Sequence, residues 1–584
     1  MNLLKGISAS PGIAIGKAFL YHQADLWIEE RHIRPEDVEA EVDRFRSAVD
    51  DVVEEIQRTQ DHIYDEVGEE IAKIFEAHLM MLHDQVIIEE TIRKIREERL
   101  KAECAFFRTL RRTVASLRSA EDAYLRERAE DVEDIQRRVI LKLIGREHLV
   151  SLADLETDSI VVARNLSPSD TVHMHREHVL GFVTDVGGST SHAAIVARAL
   201  EIPAVVGVAT GTRDIGPDDL VVLDGSRGVV YVHPDEGTIS EYQHRKQRWA
   251  EFEEELAALR DLPAVTLDGH AVEVAANIEF PDEVESALVH GARGIGLYRT
   301  EFIYLAGEGL PSEAEQVEAY RKVVKRIMPD PVVIRTLDLG GDKIDKVLHT
   351  TPELNPFLGW RAIRVCLERE DIFLVQLRAI LRAGVFGAVK IMFPMISGIE
   401  ELRRAKEIVE KAKDQLRAEG IPFCEHCPVG AMIEVPSAAM TADHLAEEVD
   451  FFSIGTNDLV QYTVAVDRGN ERIAYLFDHL HIGVLRLIQR TIEAGHRAGI
   501  PVGLCGEMSR DPLAALLLLG MGLDSFSMAP MGVPEIKMII REVRFEDAQH
   551  LTEEAMTLHT KDEIRALLIG ALRERFGDLS LYSP

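Results

Sequence analysis

The stretch VKIMFPMISGIEELRRAKEIVEKAKDQLRAEGIPFCEHCPVGAMIE (389–434) opens on a strand-like run, passes through a charged helical segment and closes on a second strand-like run. It is one β-then-α unit of a longer series. From Val272 onward the runs VEVAAN, RGIGLYR, VVIRT, VKIMF, VGAMIE, DFFSIG, PVGLC and DSFSM alternate with helical segments, eight times in all. Eight similar units predict a closed (β/α)8 TIM barrel over residues 262–584. An open doubly wound sheet would not normally use eight such units without a nucleotide-binding glycine loop.

Upstream, HRKQRWAEFEEELAALRD is charged and helical with no β character, so residues 236–261 read as a helical linker. Before it, SIVVAR, VLGFVTDVGG and LVVLDG are short β runs separated by turn residues, and SASPGIAIGKAFLY near the start has the same character. Residues 1–22 and 149–235 therefore form an α/β domain. Residues 23–148, between its two parts, read as an inserted all-helical bundle. Its first stripe, Val38, Val42, Phe45, Val49, Val52, Ile56 and Ile63, keeps a one-sided apolar face with acidic residues between the stripe positions. Its last, Leu125, Val132, Ile135, Val139 and Leu143, ends at Gly145.

The whole is multidomain α/β, as 584 residues demand. Apolar residues at 46% and charged residues at 28% leave ample material for cores and exclude disorder as the main state. Lys plus Arg number 66 against 100 Asp plus Glu, a net charge of −34 that repels nucleic acid and anionic lipid and attracts basic protein partners. No uncharged apolar run reaches the roughly 18 residues a membrane span needs, and MNLLKGISAS lacks the apolar core of a signal peptide. A cytoplasmic location without membrane or nucleic-acid partners is expected. Five scattered cysteines, Cys104, Cys366, Cys424, Cys427 and Cys505, agree with a reducing compartment.

Barrel enzymes carry their chemistry at the C-terminal ends of the strands. There the chain places Asn277, Arg299, Arg335, Asp338, Glu434, Asn457, Asp458 and Cys505. Each alone could cap a helix or pair with a neighbour; together they form a coherent set. Guanidinium groups grip carboxylate and phosphate bidentately, while Glu and Asp oxygens hold a hard octahedral cation such as magnesium. The set describes a site for a small phosphorylated carboxylic acid. Cys505 reads either as a small apolar lining residue or as a proton donor to an enolate carbon, since an ordinary thiol is protonated at neutral pH. Two other motifs are set aside. CEHC (424–427) has no second closely spaced pair for zinc, and GARGIG (291–296) opens a strand rather than a helix.

In the α/β domain, VGGSTSHAAIVARAL puts paired glycines and hydroxyl side chains before a helix whose first turn holds His192. The free N–H groups and positive dipole end there disfavour imidazolium and favour an anion. A neutral ring nitrogen can act as nucleophile, and a phosphoryl group on it is then stabilised. The bland alternative is a capping segment with a bystander histidine.

GGSTSHAAIVAR resembles the phosphohistidine segment of the phosphoenolpyruvate-utilising enzymes. GLYRTEF, IRTLDLGGDK, NPFLGWRAIR, MIEVP, FFSIGTNDLVQYTVAVDRGN and LCGEM resemble their barrel motifs in the same order. SPGIAIGKA, the inserted bundle and the length resemble the branch that phosphorylates the phosphocarrier protein HPr at the head of the sugar phosphotransferase system. The resemblance implies that phosphoenolpyruvate binds through Arg299, Arg335, Asn457 and Arg468, with Mg2+ held by Glu434 and Asp458. Arg361 would add charge to the migrating phosphoryl group, His192 would accept it, and Cys505 would protonate the enolate of pyruvate. It further implies that the bundle docks HPr, that the histidine domain swings on the linker, and that the barrel forms a homodimer.

Two positions depart from the family pattern: Ser167 stands where Thr is common, and Ser189 where a longer, frequently basic residue is common. Neither removes a reacting group. A pyruvate phosphate dikinase or phosphoenolpyruvate synthase would share the histidine segment and barrel, but no nucleotide-binding domain fits the N-terminal portion. A scaffold that senses phosphoenolpyruvate without turnover is the reading from another class. The intact His192, Arg299, Glu434, Asp458 and Cys505 argue against it.

Overall fold

The short β runs of the N-terminal part are brought together in one sheet by residues far apart in sequence. The computed structural model describes the chain apart from residues 1, 22–30, 67–77, 119–122, 146–151, 153–154, 156, 167–169, 171–177, 189–190, 200–201, 306–308, 341–354, 469, 471 and 577–584. Two units arise, Met1–Glu251 and Phe252–Tyr582. In the first, the strands are β1 (Asn2–Lys5), β2 (Ile7–Ser10), β3 (Ile13–Tyr21), β4 (Ser159–Ala163), β5 (Val179–Thr184), β6 (Ala204–Val206), β7 (Leu220–Asp224) and β8 (Val229–Val232). They run in the order β1-β8-β7-β3-β4-β5-β6-β2. The central neighbours β3, β4, β5 and β6 are parallel, and the flanking strands join antiparallel. Strand β4 is buried at every position because both faces are covered, so it reads as a continuous apolar run rather than an alternation. Ile160 and Val162 pack with Leu223 and Val230, while Val161 and Ala163 pack with Phe182 and Ala194. Strands β1, β6 and β8 were not anticipated; unlike the equally short barrel strands, they belong to no repeating series of β-then-α units.

Between β3 and β4 the described residues include the long helices α1 (Val38–Glu66), α2 (Gln85–Glu98), α3 (Ala102–Arg118) and α4 (Ala123–Ile144). The stripe residues Val42, Phe45, Val49, Val52 and Ile56 enter one core with Ile95, Phe106, Leu110, Val132, Ile135 and Val139. The Phe45 and Phe106 ring centroids stand 5.5 Å apart. The side chains of Ile63 and Leu125 lie outside the described residues. Helix α5 (His192–Ala199) lays Ala193, Ala194 and Ala197 on the sheet, and its Val196 joins the bundle core. Helix α6 (Glu236–Ala258) follows the sheet.

The second unit is the barrel. Strands β9 (Glu273–Ile278), β10 (Ile295–Tyr298), β11 (Val332–Arg335), β12 (Val389–Phe393), β13 (Val429–Ile433), β14 (Phe451–Ile454), β15 (Val502–Leu504) and β16 (Ser525–Met528) pair in parallel around a closed ring, β16 meeting β9. Leu297, Val333, Met392, Met432, Phe451 and Cys505 fill the interior. Outside, the helices Glu370–Ala383 and Ile399–Glu419 cover the strands, with Phe373 against Phe393. Below the ring the buried Lys537 ammonium donates to the carbonyls of Arg260 and Gly291, each at 2.8 Å. Lys537→Met removes the donor and leaves two inward-facing carbonyls without it. A loss of about 2 kcal/mol is expected, read as a lower urea midpoint for the barrel unit; an unchanged midpoint would show that water replaces the ammonium at no cost.

Candidate active site

Every strand-end residue singled out from the sequence is described, and the barrel gathers most of them at one mouth. Arg335 closes β11 and pairs with Glu301 at 3.1 Å and with Asp338 at 2.9 Å. The other oxygen of Asp338 accepts from Arg361 at 2.8 Å, so one carboxylate aligns two guanidiniums. Arg361 also donates to the Tyr462 hydroxyl at 3.1 Å and lies 3.7 Å from Asp458. The turn that aims it passes through Ala362, a non-glycine residue at φ 52°, a strained geometry of the kind that collects at functional sites. Burial works against charge on Arg335 and Arg361, but Glu301 and Asp338 beside the first, and Asp338 and Asp458 beside the second, raise both above the ordinary arginine value. Both stay cationic. Among the described residues the buried Nε atoms of Arg335 and Arg361 find no hydrogen-bond partner, nor does Oδ1 of Asp458. Buried polar atoms of a folded chain are seldom left this way, so three at one mouth mark the place of a ligand.

Beside the arginines stand two carboxyls. Glu434 follows β13, is 2% exposed, and accepts from the Met395 backbone at 2.6 Å. Its room depends on Gly455, where a Cβ would stand 2.6 Å from the Glu434 carboxylate. Asp458 lies with Asn457 in the first turn of the helix Thr456–Val464, where exposed N–H groups suit an anion. Burial pushes the Glu434 carboxyl well above the usual range, and Asp458 and Asp338 push it further. Burial likewise raises Asp458, against the pull of Arg361. Two dry carboxyls that oppose each other's ionisation, one with an unpartnered oxygen, fit a hard divalent cation whose shell is completed by water and substrate oxygens.

Cys505 follows β15 among apolar residues, with Ser453 Oγ donating to its sulfur at 3.2 Å. Burial raises its thiol above the ordinary value despite that hydrogen bond and the nearby Arg335. Cys505 thus lines the barrel, and burial favours the protonated thiol. Arg299 pairs with Glu279, and Arg468, largely exposed, lies near enough to Asp458 to favour its charge. Asn457 Oδ1 accepts from the Glu507 backbone at 3.1 Å. Asn277 is occupied elsewhere, donating to the Cys505 carbonyl at 2.9 Å and accepting from Ser527 at 2.6 Å; it ties β9 to its neighbours.

Three supporting residues were missed. Glu301 and Thr300 sit within GLYRTEF itself: Glu301 also accepts from the Asp338 backbone at 2.9 Å, and Thr300 Oγ1 donates to the Arg335 carbonyl at 3.0 Å. Gln376, fully buried in mid-helix, donates to Thr300 at 3.0 Å and accepts from the Leu337 backbone at 2.9 Å. It thereby pins the backbone between Arg335 and Asp338. Gln376→Leu should lower kcat/KM for the barrel substrate about tenfold or more by loosening that segment. Gln376→Glu, which keeps an acceptor for Leu337, should lose less. Equal kinetics for the leucine variant and the parent would show that the segment holds itself.

In the first unit, His192 opens α5, and Ser191 Oγ accepts from the Ala194 backbone at 3.4 Å as the helix begins. Gly187 sits at φ 123°, a conformation that favours glycine. The side chain of His192, together with Ser167, Ser189 and part of IRTLDLGGDK, lies outside the described residues.

Comparison with known proteins agrees with this geometry. Residues 253–545 match the family description "PEP-utilising enzyme, PEP-binding domain", residues 5–128 its N-terminal part and residues 155–228 its mobile domain. Barrel, mouth and histidine-headed helix are thus those of a phosphoenolpyruvate-utilising enzyme. A phosphoenolpyruvate-protein phosphotransferase of Haemophilus influenzae is 46% identical over 97% of this chain and 98% of its own. Those of Geobacillus stearothermophilus, covering 96% of each chain, and Bacillus subtilis, covering 97% and 99%, are each 44% identical. The chain belongs to the phosphoenolpyruvate-protein phosphotransferase family, and it is a transferase. Among the described residues no helix is long and apolar enough to cross a membrane.

Proposed function

We propose that this chain moves the phosphoryl group of phosphoenolpyruvate to His192 and from there to the phosphocarrier HPr, releasing pyruvate, as the first step of a sugar phosphotransferase system. The observation that carries the reading is the pair of buried, cationic guanidiniums of Arg335 and Arg361, aligned by Asp338 with unpartnered Nε atoms beside Glu434 and Asp458. Arg299, Arg335, Asn457 and Arg468 bind the carboxylate and phosphoryl oxygens, and Arg361 compensates charge on the migrating group. Glu434 and Asp458 would hold Mg2+, which when bound neutralises charge on the phosphoryl oxygens. The His192 ring nitrogen attacks phosphorus in line as the bond to the enolate oxygen breaks. Cys505 gives its proton to the enolate carbon, which becomes the methyl group of pyruvate, and regains one from solvent.

On this reading the labour is divided along the chain. Residues 1–22 and 149–235 carry the histidine, 23–148 dock HPr, 236–261 link, and 262–584 bind phosphoenolpyruvate and pair two barrels in a homodimer. His192 visits the barrel mouth and then HPr by a swing on the linker. The acidic balance suits a basic phosphocarrier, and the protein works in the cytoplasm. The test is pyruvate release from phosphoenolpyruvate and Mg2+ with and without HPr. Multiple turnovers are expected only with HPr, and about one pyruvate per chain without it. A chain that binds phosphoenolpyruvate yet releases none in either arm would be the sensing scaffold instead.

A further inference from the structure

Cys424 and Cys427 take no part in the chemistry above. They lie at the opposite end of the barrel, in the segment that leads into β13. Glu425 and His426 are the central pair of a hydrogen-bonded turn, so the two cysteines are its first and fourth residues. Those positions hold their Cα atoms within about 7 Å, inside the span a disulfide bridges. The turn is anchored at both ends. Cys424 N–H donates to the Leu381 carbonyl at 2.9 Å, its Cβ packs where Gly384 lacks one, and the Cys427 thiol lies 3.3 Å from the Val389 carbonyl at the start of β12. Cys424 is half-buried, whereas Cys427 is 6% exposed. The Cys427 side chain, the His426 backbone and Lys413 all lie close enough to the Cys424 sulfur to favour its thiolate. These contacts bring the Cys424 thiol down to about 6, while the same pairing and burial push Cys427 up.

A metal does not explain the pair: among the described residues no three His, Cys, Asp or Glu side chains are grouped to hold one, so His426 does not complete a site with them. An accessible sulfur of thiolate character beside a buried thiol is the arrangement of an attacking and a resolving cysteine.

We propose that Cys424 and Cys427 form a reversible redox site that takes up a small peroxide and closes to a disulfide. The Cys424 thiolate attacks one peroxide oxygen, the O–O bond breaks, and hydroxide leaves, giving a sulfenic acid at Cys424. The Cys427 sulfur then attacks that sulfur, its proton and the sulfenic hydroxyl leave as water, and the disulfide forms. Two electrons pass from the thiols to the peroxide. A dithiol reductant reverses the step by exchange.

The test treats the full chain with hydrogen peroxide, removes the peroxide, unfolds the chain in guanidinium chloride, caps free thiols with iodoacetamide and weighs the peptides. The expected result is loss of two alkylation sites, at Cys424 and Cys427 together, with both restored by dithiothreitol. Cys427→Ser should stop the reaction at a sulfenic acid that dimedone captures on Cys424, and Cys424→Ser should leave Cys427 alkylatable. In the untreated protein Cys424 should alkylate about tenfold faster than the buried Cys366. Peroxide treatment that leaves both cysteines alkylatable, or dimedone captured equally on Cys104 or Cys366 in the Cys427→Ser chain, would overturn the assignment. All three readouts are independent of phosphoryl transfer, so their failure and that of the proposed function are distinguishable.

Discussion

The His192→Ala chain is expected to take up no phosphoryl label from phosphoenolpyruvate, a fall of at least about 10^4-fold against the parent, yet to bind phosphoenolpyruvate with little change. The reason lies in the division of the molecule: the proposed nucleophile heads α5 in one unit, and the guanidiniums and carboxyls line a barrel in the other. Alanine suits the first turn of a helix that already buries Ala193, Ala194 and Ala197 on the sheet, so the fold survives. Labelling with radioactive phosphoenolpyruvate, followed by acid and base treatment, should give an acid-labile, base-stable label in the parent alone. Label persisting in the variant would place the acceptor elsewhere.

Glu434→Gln and Asp458→Asn keep the volume of each side chain and remove the charge that would hold the cation. Phosphorylation by phosphoenolpyruvate should drop about a thousandfold, while transfer from phospho-HPr back to His192 continues at the parental rate. That asymmetry separates a cation role from a structural one. A misfolded barrel mouth would also abolish binding of phosphoenolpyruvate, and a general loss of stability would slow both directions. Rapid-quench measurement of each half-reaction reads the difference, and loss of both would assign these carboxyls to the fold.

The barrel was legible because each of its eight strands is an apolar run flanked by turn residues, and parallel strands covered by helices need no other code. The residues ending those strands were legible for the same reason: Arg335, Glu434, Asp458 and Cys505 follow directly on the apolar runs. Position at the mouth did not by itself separate ligand-facing residues from ties. Asn277 ends a strand like the others, but its amide is consumed by Cys505 and Ser527. Gln376 shows the converse. Nothing in EDIFLVQLRAILRA distinguishes that glutamine, since its partners Thr300 and Leu337 are set by how the helix docks under two strand ends. Strands β1, β6 and β8 escaped because, unlike the equally short barrel strands, they belong to no repeating series, and their place in the sheet comes from pairing partners distant in sequence.

That pairing also sets the order in which the first unit can be completed as the chain is made. Strand β1 borders β8, Asn2 facing Val232, and β3 lies beside β4 across the whole bundle, Tyr21 facing Ala163. At a synthesis rate of about 5–20 residues per second, the opening strands wait roughly 10–50 s for their neighbours to leave the ribosome. Helices α1 to α4, which share one core, are emitted during that wait. Strands β1 and β3 are thus among the last to find their places, and the sheet that carries His192 closes around an insert whose helices have already been made.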